Sequence, residues 1–216
     1  MAARSSGSAN LQGQQASAGR LTVSLPGMIL LNSKPGGGKS HLARYIFYVN
    51  RKKFRHGIVF SKSCFRPGNI DYVPNYEGTP KDVKTHRNFK HMRYNKAVMK
   101  AFLDGQAAYP EGKRPLGFVY IDDDISESNM FNDEYMLDAA TMYRQYNILL
   151  IVCTQHVNKL STTFRECASQ VALFKMDSLG SIKACYESYG QEFEDINRFR
   201  SWLFENTTPM EMHKFC

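Results

Sequence analysis

The sequence predicts an α/β fold, with a central, mostly parallel β-sheet flanked by helices. Three observations carry this expectation. Short apolar runs at Met28 to Leu31, Gly57 to Phe60, Phe118 to Ile121, Ile148 to Cys153 and Val171 to Phe174 alternate with segments of helical character. Runs that are apolar throughout suit strands covered on both faces, and crossovers between them make neighbouring strands parallel. The first run also breaks into S-K-P-G-G-G-K-S at Ser33 to Ser40 and passes into a helical pattern, which is the order of a phosphate-binding loop.

Taken in chain order, residues 1–20 are rich in Ser, Ala, Gly and Gln, with Arg4 and Arg20 as the only charges. They hold too little apolar surface to fold alone and are expected to form a disordered arm. The remainder, residues 21–216, is expected to be one P-loop domain, because a chain of 216 residues buries roughly 70–75% of its unfolded surface around a single core. The segment Met28 to Leu31 forms the first strand. In the glycine-rich turn that follows, backbone N–H groups point inward around a nucleotide's phosphates, Lys39 reaches the β/γ oxygens, and the Ser40 hydroxyl ligates Mg²⁺. The nucleotide-binding run is Ser33, Lys34, Pro35, Gly36, Gly37, Gly38, Lys39, Ser40 and His41. Ser33 stands where G-x-x-x-x-G-K-[ST] has its first glycine, so the turn there must stay in the ordinary α or β region. A helix is expected over Ser40 to Asn50, with Leu42, Ile46 and Val49 facing the sheet.

A second chemical segment is Leu116 to Asp124, L-G-F-V-Y-I-D-D-D, an apolar strand ending in carboxylates. After a phosphate loop this is the Walker B arrangement, which sets an acid beside the Mg²⁺. Asp122 is placed to hold the metal, directly or through water. Asp123 is placed to orient or deprotonate the attacking water, and Asp124 reads as a loop or capping residue. A third strand, within N-I-L-L-I-V-C-T-Q-H at Asn147 to His156, presents Thr154 and Gln155 at its end. An amide there can sense the γ-phosphate or position water. This polar end fits motor-type NTPases, in which an additional strand separates the phosphate-loop strand from the acidic one.

Composition narrows the class further. No run reaches the roughly 18 apolar residues of a membrane span, and the start lacks a signal peptide's apolar block, so no membrane role or secretion is expected. The five cysteines (Cys64, Cys153, Cys167, Cys185, Cys216) are scattered without C-x-x-C, which indicates neither a disulfide framework nor a zinc site. Reduced thiols in a cytosolic or nuclear setting are expected. The net charge is +8, which fits a polyanionic partner. Lys81, Lys84, Arg87, Lys90, Arg93, Lys96 and Lys100 face only Asp82 as an opposing charge. Spaced by three on a helix they would wrap the surface instead of forming one stripe. Arg51, Lys52, Lys53 and Arg55 form a second cluster, and Lys113 and Arg114 precede the acidic strand.

With these segments in order, the chain resembles the DNA-packaging ATPases of large DNA viruses and their smaller relatives, of the poxvirus packaging-ATPase type within the FtsK-HerA superfamily. The likeness runs from about Leu21 to Thr208. It also rests on G-I-V-F-S at Gly57 to Ser61, M-Y-R-Q-Y-N-I-L-L-I-V-C-T-Q at Met142 to Gln155, F-R-E-C-A-S-Q-V-A-L-F-K at Phe164 to Lys175, and S-I-K-A-C-Y-E-S-Y-G at Ser181 to Gly190. The resemblance implies a RecA/FtsK-like sheet of the additional-strand type and ATP hydrolysis with Mg²⁺. It further implies a homo-oligomeric ring, pentamer or hexamer, that moves double-stranded DNA into a capsid at a vertex or portal protein, in an infected host cell or in the virion. Arg144 and Arg165 match two family arginines, and either is a candidate for the cation given to a neighbouring subunit's γ-phosphate. Two departures are Ser33 and Asp123, the latter standing where superfamily members outside the viral group commonly carry Glu. A helicase-like or replication-associated NTPase and a nucleotide-gated DNA-binding scaffold are the alternative readings.

Overall fold

A computed structural model of the chain describes residues 23–61, 89–122 and 130–207. The arm at residues 1–20, Asp123, Asp124, and the basic residues Lys81, Lys84 and Arg87 lie outside the described residues. In chain order the elements are β1 (Gly27–Asn32), α1 (Lys39–Asn50), β2 (Phe54–Phe60), β3 (Phe89–Met92), α2 (Lys96–Ala107), β4 (Leu116–Ile121), α3 (Glu134–Thr141), β5 (Ile148–Thr154), α4 (Thr162–Glu166), β6 (Gln170–Leu173), α5 (Leu179–Tyr189) and α6 (Ile196–Asn206).

The strands form one sheet in the order β3-β2-β4-β5-β1-β6, and every pair is parallel. β5 lies between β1 and β4, which is the additional strand that the polar end of β5 suggests. One strand exceeds the five apolar runs. β3, F-K-H-M, sits inside the basic stretch whose spacing suggested a helical surface, and it pairs with β2 at the sheet edge. An edge strand has a single ladder partner and tolerates charge.

Register and alternation divide the core into two layers. Leu30, Val152, Ile121 and Phe60 are aligned across four strands and belong to one apolar cluster. Their neighbours Ile29, Ile151, Tyr120 and Val59 are aligned likewise and belong to the other. Successive strand residues point to opposite faces, so a strand buried on both sides reads as a continuous apolar run. One face is covered by α1 through Ala43, Ile46 and Phe47. The opposite face is covered by Met99 and Leu103 of α2, Met136, Ala139 and Ala140 of α3, and Phe164 of α4. The α1 face is thus turned from the expected one: Ile46 is central, while Leu42 and Val49 are half-buried at its margins. Small Ala43, fully buried, brings the helix close to the sheet where a larger residue would hold it off.

Phe47, Phe54 and Phe118 meet as a trio with ring centroids 4.9 to 5.6 Å apart. Phe118 is fully buried at its centre. Phe118→Ala is expected to cost about 3–5 kcal/mol, the usual result of emptying a phenyl-sized site; urea unfolding followed by circular dichroism checks this. Beyond this double layer, α5 and α6 pack on each other through Ile182, Cys185, Phe199 and Leu203. Among the described residues no helix is long and apolar enough to cross a membrane.

Among the described residues four of the six helix starts carry a side-chain cap, whereas α1 and α5 do not, and for α1 this matters for the site. Asn95, Asp133, Ser161 and Asp195 each accept a hydrogen bond from a first-turn N–H of the helix they precede. α1 begins instead at Gly38, with no side-chain cap and no acid in its first turn. Its leading N–H groups have no intrahelical acceptor, and nothing from a capping side chain competes with an incoming anion.

Candidate functional site

β1 ends in Asn32 and passes into the loop Ser33 to Gly38, which wraps the start of α1. Gly36 and Gly38 have φ of 73° and 99°, a region that costs other L-residues about 1–2 kcal/mol. Ser33 is buried and lies outside that region, as the replacement of the first loop glycine requires. Its hydroxyl donates to Lys34 O at 2.9 Å, and a Cβ on Gly37 would fall 1.7 Å from Ser33 Oγ. Gly37 is therefore a space requirement set by Ser33. Lys39, buried to 7% exposure, donates from Nζ to Ser33 O at 2.6 Å and to Lys34 O at 3.1 Å. Its ammonium folds back over the carbonyls of the loop, within reach of whatever fills the loop. Ser40 is half-buried beside it and His41 is exposed.

Asp122 follows β4 and is 6% exposed. Its N–H donates to Phe60 O at 2.9 Å, and its Oδ2 accepts from Ser61 Oγ at 3.4 Å. By register it stands level with Cys153 of β5 and Leu31 of β1. With β5 between, the β1 and β4 backbones are two strand spacings apart, about 10 Å. The Ser40 hydroxyl and the Asp122 carboxylate are hard oxygen donors that suit Mg²⁺, an ion that keeps several waters and shares substrate phosphates. Among the described residues no group of three His, Cys, Asp or Glu could hold a metal alone.

The end of β5 is tied to the loop. Thr154 O accepts from Ser33 N at 3.1 Å and from Asn32 Nδ2 at 3.3 Å. The buried Asn32 also accepts at Oδ1 from the Cys185 thiol of α5, 3.4 Å away. Burial pushes that thiol up to about 12, so it stays protonated and donates. Gln155 is half-buried and lines a cleft of about 310 Å³ with Asn32, His156, Ser181 and Cys185. It does not cap the short turn that follows.

The two arginines part company. Arg144 is exposed in the turn before β5, its guanidinium 5.5 Å from the Tyr143 ring centroid. β5 has seven residues and rises about 23 Å, so Arg144 stands at the opposite end of the sheet from its own phosphate loop. Arg165 is held within the chain. Its guanidinium donates to Ser188 Oγ of α5 and to Thr162 Oγ1 at 3.3 Å, beside a Tyr189 hydroxyl pushed by burial up to about 12. Of the remaining basic residues, Lys52, Lys53, Arg55 and Lys113 are exposed near the starts of β2 and β4, and Arg114 Nε caps α2 through Gln106 O at 2.5 Å.

Asn32, Ser61, Phe174 and Asp177 join this site without having been singled out by sequence. Phe174, after β6, lies over Gly38, where a Cβ would meet its ring at 3.5 Å. Asp177 pairs with Lys34. Asn32 carried a usable signal, since a polar residue that ends an apolar strand just before a phosphate loop has to be hydrogen-bonded. For Phe174 and Asp177 the partners lie too far along the chain.

The site and sheet define a P-loop NTPase fold of the additional-strand type, with its polar residues at the carboxyl ends of β1, β4 and β5. Solved structures agree on that fold. The DNA-packaging ATPase B204 from Sulfolobus turreted icosahedral virus superposes with a TM-score of 0.61 at 16% identity, covering 81% of this chain and 87% of that one. The genome packaging NTPase B204 from Sulfolobus turreted icosahedral virus 2, in complex with ATP-gammaS, gives 0.57 at 15% identity over 81% and 86%. In sequence the chain is 22% identical over 185 residues to protein 075L of Invertebrate iridescent virus 6 and 25% identical over 154 residues to protein 015R of Frog virus 3. These matches cover 83% and 70% of this chain, and the chain spans 66% and 44% of the length of those relatives. No family model matches.

Proposed function

We propose that the chain is an ATP-hydrolysing motor that moves double-stranded DNA into a viral capsid, acting as a homo-oligomeric ring of five or six copies at a capsid vertex or portal protein. The observation that carries hydrolysis is the convergence of the uncapped α1 N-terminus, Lys39, Ser40, Asp122 and Gln155 at one end of an additional-strand sheet. Likeness to viral packaging NTPases and to proteins of two viruses supports the packaging role.

On this reading the triphosphate enters the loop and Lys39 leaves Ser33 O and Lys34 O for the β/γ oxygens. Ser40 and Asp122 would hold Mg²⁺, which neutralises charge on those oxygens. Gln155 orients a water, and Asp123, next after Asp122, takes its proton as the oxygen attacks the γ-phosphorus. The bond to the β–γ bridging oxygen breaks and its electron pair leaves on the diphosphate. Arg165, bound to Ser188 and Thr162, braces α4 against α5; Arg144 is the cation offered to the neighbouring copy.

The test is the steady-state hydrolysis rate with and without long double-stranded DNA, across protein concentration. Both additions are expected to raise the rate, and indifference to both would overturn the ring-motor reading. Strand displacement on a forked duplex would favour a helicase instead. Mixing Arg144→Ala with Lys39→Ala subunits is expected to restore part of the activity each lacks alone, and no rescue would remove Arg144 from the trans role.

A further inference from the structure

We propose that Lys34 and Asp177 form an exchangeable latch over the phosphate loop, in which Lys34 gives up the Asp177 carboxylate for the terminal phosphate of a nucleoside triphosphate. This rests on the nucleotide-site reading above and adds a second phosphate-directed lysine to the loop, one that distinguishes triphosphate from diphosphate.

Three observations carry it. First, Lys34 Nζ and Asp177 Oδ2 form an ion pair across 143 residues, joining the second position of the loop to the segment after β6. Both side chains remain more than half exposed, at 54% and 57%. An exposed pair of this kind is worth little in water, so an arriving phosphate can replace it. Lys34 also holds the Asp177 carboxyl below its ordinary range, through the hydrogen bond and its charge, so the acid stays ionised and competes for the same ammonium.

Second, the pair borders a cleft of about 210 Å³ that Asn32, Gln155, His156 and Ser181 also line. Gln155 is the residue expected to sense the γ-phosphate, so Lys34 stands on the terminal-phosphate side of the loop. Among the described residues Asp177 is the only carboxylate in that lining. An incoming phosphate and the Asp177 carboxylate compete for the same Lys34 ammonium, and a swap of partners hands that ammonium to the phosphate.

Third, the backbone of Lys34 is already a junction. Its carbonyl accepts from Lys39 Nζ, from Ser33 Oγ and from Gly37 N. Lys39 and Lys34 thus share one residue as anchor, the former through the carbonyl and the latter through its own ammonium. Phe174 over Gly38 and Asp177 on Lys34 fasten the segment after β6 to the loop at two points. Release of the second leaves the first in place.

The experiment measures equilibrium affinities of the full chain for a fluorescent non-hydrolysable ATP analogue and for fluorescent ADP. It compares wild type, Lys34→Ala, Asp177→Asn and the double variant, with thermal melts confirming that each folds. Lys34→Ala is expected to weaken the analogue about tenfold, as for loss of one charge-assisted hydrogen bond, while ADP stays within about twofold. Asp177→Asn is expected to tighten the analogue, and the double variant to match Lys34→Ala, because the acid acts only through the lysine. An unchanged triphosphate-to-diphosphate ratio in both single variants, or additive effects in the double, would overturn the latch. If Lys39→Ala lowers ATP hydrolysis as expected in that case, the nucleotide site stands without the latch; if wild type binds neither nucleotide, both readings fall.

Discussion

Lys39→Ala is expected to lower kcat for ATP hydrolysis by a factor on the order of 10² to 10³, the usual loss when one preorganised charge facing the transition state is removed. The unliganded geometry separates this chemical effect from damage to the fold. Lys39 satisfies two carbonyls, but Lys34 O keeps Ser33 Oγ and Gly37 N as donors. Only the buried Ser33 O loses its 2.6 Å ammonium partner, a stability cost of about 1–3 kcal/mol. Circular dichroism and a melting curve are therefore expected to show a folded, somewhat less stable protein whose turnover has gone. Near-normal hydrolysis by that protein would refute the site.

The second large effect concerns a glycine with ordinary backbone angles. Gly37 does not share the positive φ of Gly36 and Gly38, so alanine is permitted there by conformation. What forbids it is the Ser33 hydroxyl, 1.7 Å from the added Cβ. Gly37→Ala must push that side chain off Lys34 O or move the loop, at about 1–3 kcal/mol, and to the extent that the strain falls on the nucleotide-binding form of the loop this corresponds to up to roughly 5- to 150-fold in nucleotide affinity. Because the severest contact is with one side chain, while Lys34 O at 3.1 Å stays tight, Ser33→Gly in the Gly37→Ala background is expected to recover much of the loss. The same second change is expected to do nothing for Gly36→Ala or Gly38→Ala, whose cost lies in φ. Titration of the variants with a fluorescent nucleotide checks the pattern, and equal rescue of all three would show that the clash is not the cause.

The sheet was legible because each of its inner strands is buried on both faces and so leaves a continuous apolar run. β3 was not, since four residues containing Lys90 and His91 carry no such run and an edge strand needs none. The phosphate loop, the acidic strand and the polar end of β5 were legible for a similar reason. Their chemistry demands particular residue types next to a strand end, a local requirement. The centre of the α1 face was lost because Leu42, Ala43, Ile46, Phe47 and Val49 spread apolar character around the helix, and the approach to the sheet selected small Ala43. Polar contacts made at long range left no trace at all. Nothing near Arg165 announces Ser188, and nothing near Lys34 announces Asp177.

β5 carries Gln155 beyond one end and Arg144 ahead of the other, and all seven of its residues are buried. It is laddered to β1 from Ile148's neighbour Leu149 to Thr154 and to β4 from Ile148 to Val152, so it cannot shorten or bend independently of the sheet. Such a strand behaves as a strut. Thr154 O, pinned to Asn32 and Ser33, ties one end of that strut directly to the phosphate loop. On the proposed trans role of Arg144, the opposite foot carries the cation offered to a neighbouring copy, so one strand links a copy's own phosphate loop to the residue it offers the next.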